Sequence, residues 1–315
     1  MKKLVIVGPL LVVFSALAVT TPPARETLSF PGIPVEFVFR SLQPGEVILA
    51  ELKDNSSIKK LVLQVQDQKY ILTRTASGAK PFALIGLDVG LKPQPLVLTV
   101  KEEKTDGAVE SSEQLLTIET KAFSKRRFQV SEAMLNPPPQ EQERVRREQE
   151  LVAAVYSIIT PDWLGAGNFI PPIPDRTPFP NFGQQRIYNK AHTSIHQGVD
   201  IAAPWGTPVK ASNSGNVVLA SNLYLSGRTV IIDHGQGVFS LYCHLSKILV
   251  KRGEAIKKGA FLGRVGNTGR STGPHLHWGV RIFNSRVDPF SLVSLPLESI
   301  WRGRPLPTGA ELRPT

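Results

Sequence analysis

The six histidines of this 315-residue chain all fall between positions 192 and 277. Three groups stand out: His196-Gln197-Gly198-Val199-Asp200, Tyr242-Cys243-His244-Leu245, and Gly273-Pro274-His275-Leu276-His277. A catalytic zinc site takes three protein ligands of nitrogen and oxygen type and leaves one position for water. Two histidines and Asp200 would supply such a set. The bound water would then be acidic enough to act as hydroxide near neutral pH. Two further histidines would be left over, to take a proton from that water and to hydrogen-bond the oxyanion formed at an attacked carbonyl. The groups for a hydrolytic site are therefore all present.

The elements that position these groups follow from side-chain parity. On a strand, residues two apart project to one face. His275 and His277 should point together, with Leu276 and Trp278 on the opposite, buried face. The same rule puts Phe239, Leu241, Cys243 and Leu245 on an apolar face and Ser240, Tyr242 and His244 on a polar one. His244 should then look into a groove or solvent, and Tyr242 beside it would be a surface or substrate-contacting residue. Cys243 is expected to be a small core residue rather than a nucleophile. His196 and Asp200 would lie about 13 Å apart on a straight strand. If both bind one ion the chain must bend, and Gly198 is the residue that permits it. Asp233-His234-Gly235 reads as a turn. His192 is expected in a solvated loop, near enough to His196 to line the groove. Gly183 and Arg186 are candidates for one groove wall.

Taken together these motifs resemble the M23 family of peptidases, the lysostaphin-like zinc endopeptidases of bacterial cell walls. The resemblance covers roughly residues 182–292. It rests on His196-Gln-Gly-Val-Asp200-Ile, on Asp233-His234-Gly235 leading to Leu241-Tyr242-Cys243-His244-Leu245, and on Gly266-Asn267-Thr268-Gly269 leading to Ser271-Thr272-Gly273-Pro274-His275-Leu276-His277. It implies a compact, largely antiparallel β-sheet with Zn2+ held by His196, Asp200 and His277, and with His244 and His275 as catalytic histidines. It also implies peptide cross-links of peptidoglycan as substrate, and a location in the periplasm or cell envelope. Some relatives lose ligands and act as activators of amidases; here every motif position is filled. The hairpin around Lys257, Lys258 and Gly259 looks like those of biotinyl or lipoyl carriers, but the apolar-flanked lysine at a tip that a carrier needs is missing.

The rest of the chain reads as scaffold. Residues 26–123 alternate short β-prone runs with turn residues, as in a small sandwich, and contain no histidine or cysteine. Spacing, inhibition and binding are all open roles for this module. A linker at 124–181 holds the Pro137-Pro138-Pro139 boundary, a helix of four or five turns over 140–159, and a proline-rich piece from Phe169 to Phe182 expected to lie extended on a surface. A second β domain spans 182–292, followed by a tail at 293–315, of which Glu298 to Thr315 is expected to be loose. The fold class is thus mostly β. Met1-Lys2-Lys3, the apolar run Leu4–Val19 and Ala16-Leu17-Ala18 have the layout of a signal peptide, with an uncleaved anchor to the outer face of the inner membrane as the alternative. With one cysteine, Cys243, no intramolecular disulfide forms. The net charge of +11 would attract polyanions. No helix-turn-helix, zinc-finger or aromatic RNA-binding pattern supports nucleic acid. Oligomeric state leaves no trace in the sequence.

Overall fold

The structure, a computed structural model, describes residues 25–53, 57–73, 80–130, 132–176, 178–189 and 192–301. The signal-like run at 4–19 and the end of the tail lie outside the described residues.

Two four-stranded sheets build the N-terminal module. One, in the order β1-β2-β3-β6, joins Glu26–Ser29, Val35–Phe39, Val47–Leu52 and Phe82–Gly86. The other, β5-β4-β7-β8, joins Gln68–Thr73, Ile58–Val65, Pro95–Lys104 and Val109–Thr117. β4 and β7 bury alternate residues, so their sheet has one wet face. β3 differs: all six of its residues are buried. Its second face lies against the C-terminal domain. Val238, Val280, Ile282, Val287, Leu292, Leu295, Leu297 and Ile300 share one apolar cluster with Phe37, Leu49, Leu63 and Leu98. The two halves of the chain therefore have a common core.

Ion pairs cross the same boundary. Arg40 bonds Glu46 at 2.8 Å and Asp288 at 2.7 Å, and Lys121 bonds Glu46 at 2.7 Å. Arg286 bonds Asp88 at 2.7 Å. Glu46 is almost fully buried, and removing Arg40 leaves it only Lys121 as a counter-charge in a poor solvent, with Asp288 also losing its partner. Arg40→Ala is expected to lower unfolding stability by about 3 kcal/mol in urea denaturation. A change below about 0.5 kcal/mol would show that the pair contributes no more than a surface one.

The linker is more structured than its composition suggests. Lys125–Phe128 forms β9, Glu132–Leu135 a short helix α1, and Pro139–Tyr156 an 18-residue helix α2 with proline in its first turn. α2 packs Val152, Val155 and Tyr156 onto Leu219, Leu223, Ile231 and Phe239. From Ser157 the chain runs as a strap over the second domain. It exchanges backbone hydrogen bonds with Gln236, His234, Ser212, Lys210 and Asp200 in turn. Strand β10 (Gln185–Tyr188) then pairs antiparallel with β11 (His192–Ile195) and parallel with β9.

The C-terminal domain is a nine-stranded sheet, antiparallel in every pairing. Its strands are β12 (Val199–Ala202), β13 (Pro208–Lys210), β14 (Gly215–Leu223), β15 (Gly227–Asp233), β16 (Val238–Ile248), β17 (Ala255–Ile256), β18 (Phe261–Val265), β19 (His275–Ile282) and β20 (Ser285–Val287). The main path runs β12-β19-β16-β15-β14-β17. A short helix α3 (Pro289–Val293), capped by Asp288, and a 3-10 turn at Leu297–Trp301 close it. The tail begins as core: Leu295 and Leu297 are buried in the cluster shared with the N-terminal module, and so is Ile300, which lies in the stretch from Glu298 expected to be loose.

Candidate metal centre and groove

Three neighbouring strands, β12, β19 and β16, carry the site. Across them Asp200 pairs with His277, Ala202 with His275, and Cys243 with His277. Directly opposed residues share a face, so Asp200, His275 and His277 project together. Leu276 and Trp278 point the other way and are fully buried.

His196 arrives from outside the sheet. It follows β11, and the chain bends at Gly198 to enter β12. The glycine is needed for space rather than for a left-handed φ: a Cβ there would lie 2.5 Å from the Trp278 carbonyl and 2.9 Å from the His277 ring. The bend brings His196 Nε2 to 3.0 Å from Asp200 Oδ1, and His277 Nδ1 lies 3.0 Å from the same oxygen. The two imidazole nitrogens are 3.0 Å apart. One donor atom from each residue thus falls within 4.8 Å of the others, and two imidazoles with one carboxylate make a donor set that fits a divalent ion. His196 Nδ1 is 2.8 Å from the Asn181 carbonyl. With Nδ1 donating there, Nε2 could offer its lone pair to a divalent ion in place of a proton to Asp200. Burial disfavours a charged Asp200, but hydrogen bonds and charge from His196 and His277 outweigh it and hold the carboxyl well below the usual range. Burial lowers His277.

His244 reaches this face by a route that simple alternation misses. Arg228 pairs with Leu245 and Val230 with Tyr242, so Cys243 and His244 together oppose Thr229. This is a β-bulge, and His244 sits in it at φ +61°. The bulge reverses the parity expected for this strand. Cys243 lies on the groove face opposite His277, while Tyr242 is fully buried and cannot meet a substrate. Burial pushes the Cys243 thiol up to about 12, so it remains protonated and unreactive at neutral pH. His244 Nδ1 donates to the Thr268 carbonyl at 2.8 Å, and His275 Nδ1 donates to the Gly273 carbonyl at 2.8 Å. Both rings therefore keep a bare Nε2. Burial and the adjacent His277 push His244 down to about 3, so its ring is neutral. The His244 and His275 rings are 4.8 Å apart, and His275 Nε2 is 3.7 Å from Asp200 Oδ1.

The groove over these residues measures about 800 Å³. Ser124, Arg126, Phe128 and Val130 of the linker line one wall, and Arg270 to Pro274 belong to its lining near His275. Arg186 lines it as the sequence suggested, and its guanidinium bonds Asp200 at 2.7 Å. The role of β9 was invisible in sequence, since four basic and aromatic residues carry no chemical motif. His192 is exposed, on β11 rather than in a loop.

His234 is the unexpected core residue. It is fully buried, with Nδ1 at 2.7 Å from the Ser214 carbonyl and Nε2 at 2.7 Å from Ser240 Oγ. Ser240 Oγ continues to Tyr242 Oη, which accepts from the Ser212 amide. Burial pushes His234 down to about 4 from an ordinary value of 6.5. Its folded value lies below the unfolded one, so the unfolded chain takes up the proton first. The stability it preserves is complete above about 6.5 and is lost as pH falls toward about 4, by at most about 3 kcal/mol. Urea unfolding of wild type and His234→Gln across this window should show a steeper acid loss for wild type. Parallel curves would contradict the assignment.

The profile of peptidase family M23 matches residues 194–289. Over 120 residues the chain is 46% identical to the peptidoglycan DD-endopeptidase ShyA of Vibrio cholerae, covering 38% of this chain and 28% of that protein. Over 112 residues it is 45% identical to the DD-carboxypeptidase/endopeptidase Mpg of Neisseria meningitidis, covering 35% and 26%. The chain thus spans about a quarter of the length of either relative. A crystal structure from Pseudomonas aeruginosa assigned to peptidase M23 superposes with a TM-score of 0.62 at 30% identity, covering 81% of this chain and 96% of that one.

Proposed function

The chain belongs to peptidase family M23, and from that premise we propose that it is a zinc-dependent endopeptidase that hydrolyses peptide cross-links of bacterial peptidoglycan. The observation that carries this reading is the convergence of His196, Asp200 and His277 on one point, with two further histidines beside it. A non-catalytic relative that only bound wall or activated another enzyme would have no use for that complete set.

In this reading residues 182–292 are the peptidase domain, and His196 Nε2, Asp200 Oδ1 and His277 Nδ1 hold the ion. Zinc, when bound, polarises a carbonyl and makes a bound water acidic near neutral pH. The rest of the chemistry belongs to the chain. The Thr268 and Gly273 carbonyls fix the tautomers of His244 and His275, so each presents Nε2 to the groove. One Nε2 takes the proton from the attacking water. That ring, now carrying an N–H at Nε2, would donate to the oxygen that gains charge as the carbonyl becomes tetrahedral and then pass the proton to the leaving amine. The open groove accepts an extended peptide, and the linker adds Arg126 to its lining.

The named relatives act on peptidoglycan by their descriptions, and we extend that substrate to this chain. An exported position in the cell envelope, as periplasmic protein or through an N-terminal anchor, follows from the substrate. No helix among the described residues is long and apolar enough to cross a membrane.

Protein lacking residues 1–24, incubated with purified peptidoglycan, is expected to release new amino groups, and fragment masses will name the bond. Release from no wall type would overturn the reading and favour a binding role.

A further inference from the structure

The two oxygens of Asp200 are treated differently. Oδ1 faces His196 Nε2 and His277 Nδ1, each at 3.0 Å. Oδ2 accepts from Arg186 Nη2 at 2.7 Å and from Asn181 Nδ2 at 3.1 Å. The backbone amide of Asp200 in turn donates to Asn181 Oδ1 at 3.1 Å. A carboxylate torsion is broad and poorly fixed by its own rotamer preference. The orientation here is imposed by donors on one side.

Arg186 is itself held by the linker. Its guanidinium carbon lies 5.8 Å from the Phe128 ring centre, and Phe128 stacks on Tyr188 at 5.3 Å. β9 is tied to β10 at both ends, by Gln185 N to Ser124 O at 2.9 Å and Asn189 N to Phe128 O at 3.0 Å. The Asn189 side chain adds a reciprocal pair with Val130, at 3.0 and 2.9 Å. A planar fork stacked on an aromatic face is pre-organised for a fixed carboxylate.

We propose that Arg186, seated on Phe128 of the linker strand, is a positioning residue that keeps Asp200 a one-oxygen ligand. The inference rests on the metal reading above. A carboxylate can bind an ion through one oxygen or two. If Oδ2 were free, it would swing to the ion and fill the position that water needs. With Arg186 and Asn181 occupying Oδ2, only Oδ1 is offered. Strand β9 is on this account part of the centre and not a detachable cover.

The test uses cobalt(II) in place of zinc, because the intensity of its visible absorption falls as coordination rises from four toward five and six. Wild type, Arg186→Gln, Arg186→Lys and Phe128→Ala are compared as full chains. Wild type should bind one equivalent and show strong bands. Arg186→Gln should bind cobalt at least as tightly, with bands about two-fold weaker or more, and with kcat reduced about 10- to 100-fold at unchanged KM. Arg186→Lys should recover much of the wild-type spectrum, and Phe128→Ala should move toward Arg186→Gln. Wild-type spectra in all variants would overturn the proposal, including the case in which only the unfolding midpoint of the metal-free protein drops. Failure of wild type to bind cobalt or zinc would instead overturn the metal reading itself. The Lys and Phe128 variants keep the test open if Arg186→Gln does not fold.

Discussion

His244→Gly should be more stable than His244→Ala by about 1 kcal/mol, and both should lose about 10³-fold in peptidoglycan hydrolysis while retaining their metal. The stability order is the reverse of the usual one, in which glycine inside a strand costs about 0.5–1 kcal/mol relative to alanine. The reversal comes from φ +61° at this position, which costs a residue with a Cβ about 1–2 kcal/mol. The native histidine bears that strain, because the bulge is the only way β16 can put residue 244 on the Cys243 face. The catalytic loss follows from removing the imidazole whose Nδ1 is tied to Thr268; a proton-transfer role is worth about 10²–10⁴ and an oxyanion donor about 10²–10³. Urea midpoints for the two variants decide the first point. An alanine variant as stable as the glycine one would show that the backbone is unstrained. Full activity in either would remove His244 from the mechanism.

Asp200→Ala should abolish metal retention and reduce hydrolysis by about 10³-fold or more. A bound ion supplies several kcal/mol of transition-state stabilisation, and about 4 kcal/mol corresponds to that factor. The substitution also strands Arg186, which is only 20% exposed and loses its carboxylate. A stability loss of a few kcal/mol should accompany the catalytic one. Asp200→Asn separates the two effects. Its amide oxygen still accepts from Arg186, so most of the fold stability returns, while the missing charge keeps the ion weakly held. Metal content after dialysis and urea midpoints give the two readouts. One equivalent of metal retained by Asp200→Ala would show that the ion sits elsewhere.

The sequence made the chemistry more legible than the geometry that delivers it. Histidines two apart at 275 and 277 define a face without further help, because β19 is regular there. The strand at 238–248 misleads, because alternation holds only until the bulge, and nothing in Tyr242-Cys243-His244-Leu245 announces a left-handed residue. Gly198 signals a bend, but its true constraint is the His277 ring pressed against it, a contact between residues 79 positions apart by number. Arg186 could be suspected of lining the groove; its bond to Asp200 joins two different sheets, β9–β11 and that of β12, which no local pattern relates. The tail is misread for a similar reason. Composition rich in proline and glycine beyond residue 302 hides Ile300, whose burial depends on a partner sheet more than 200 residues earlier in the chain. Local patterns report elements and ligand types; contacts between distant segments are decided by packing.

The most direct test of a metal-driven peptidase is to titrate zinc into metal-free protein while following amine release from purified peptidoglycan. No release is expected without metal, then a linear rise with added zinc and a plateau at one equivalent, with His277→Ala silent throughout. Release that is indifferent to chelation, or silence at every zinc loading on every wall type, would contradict it.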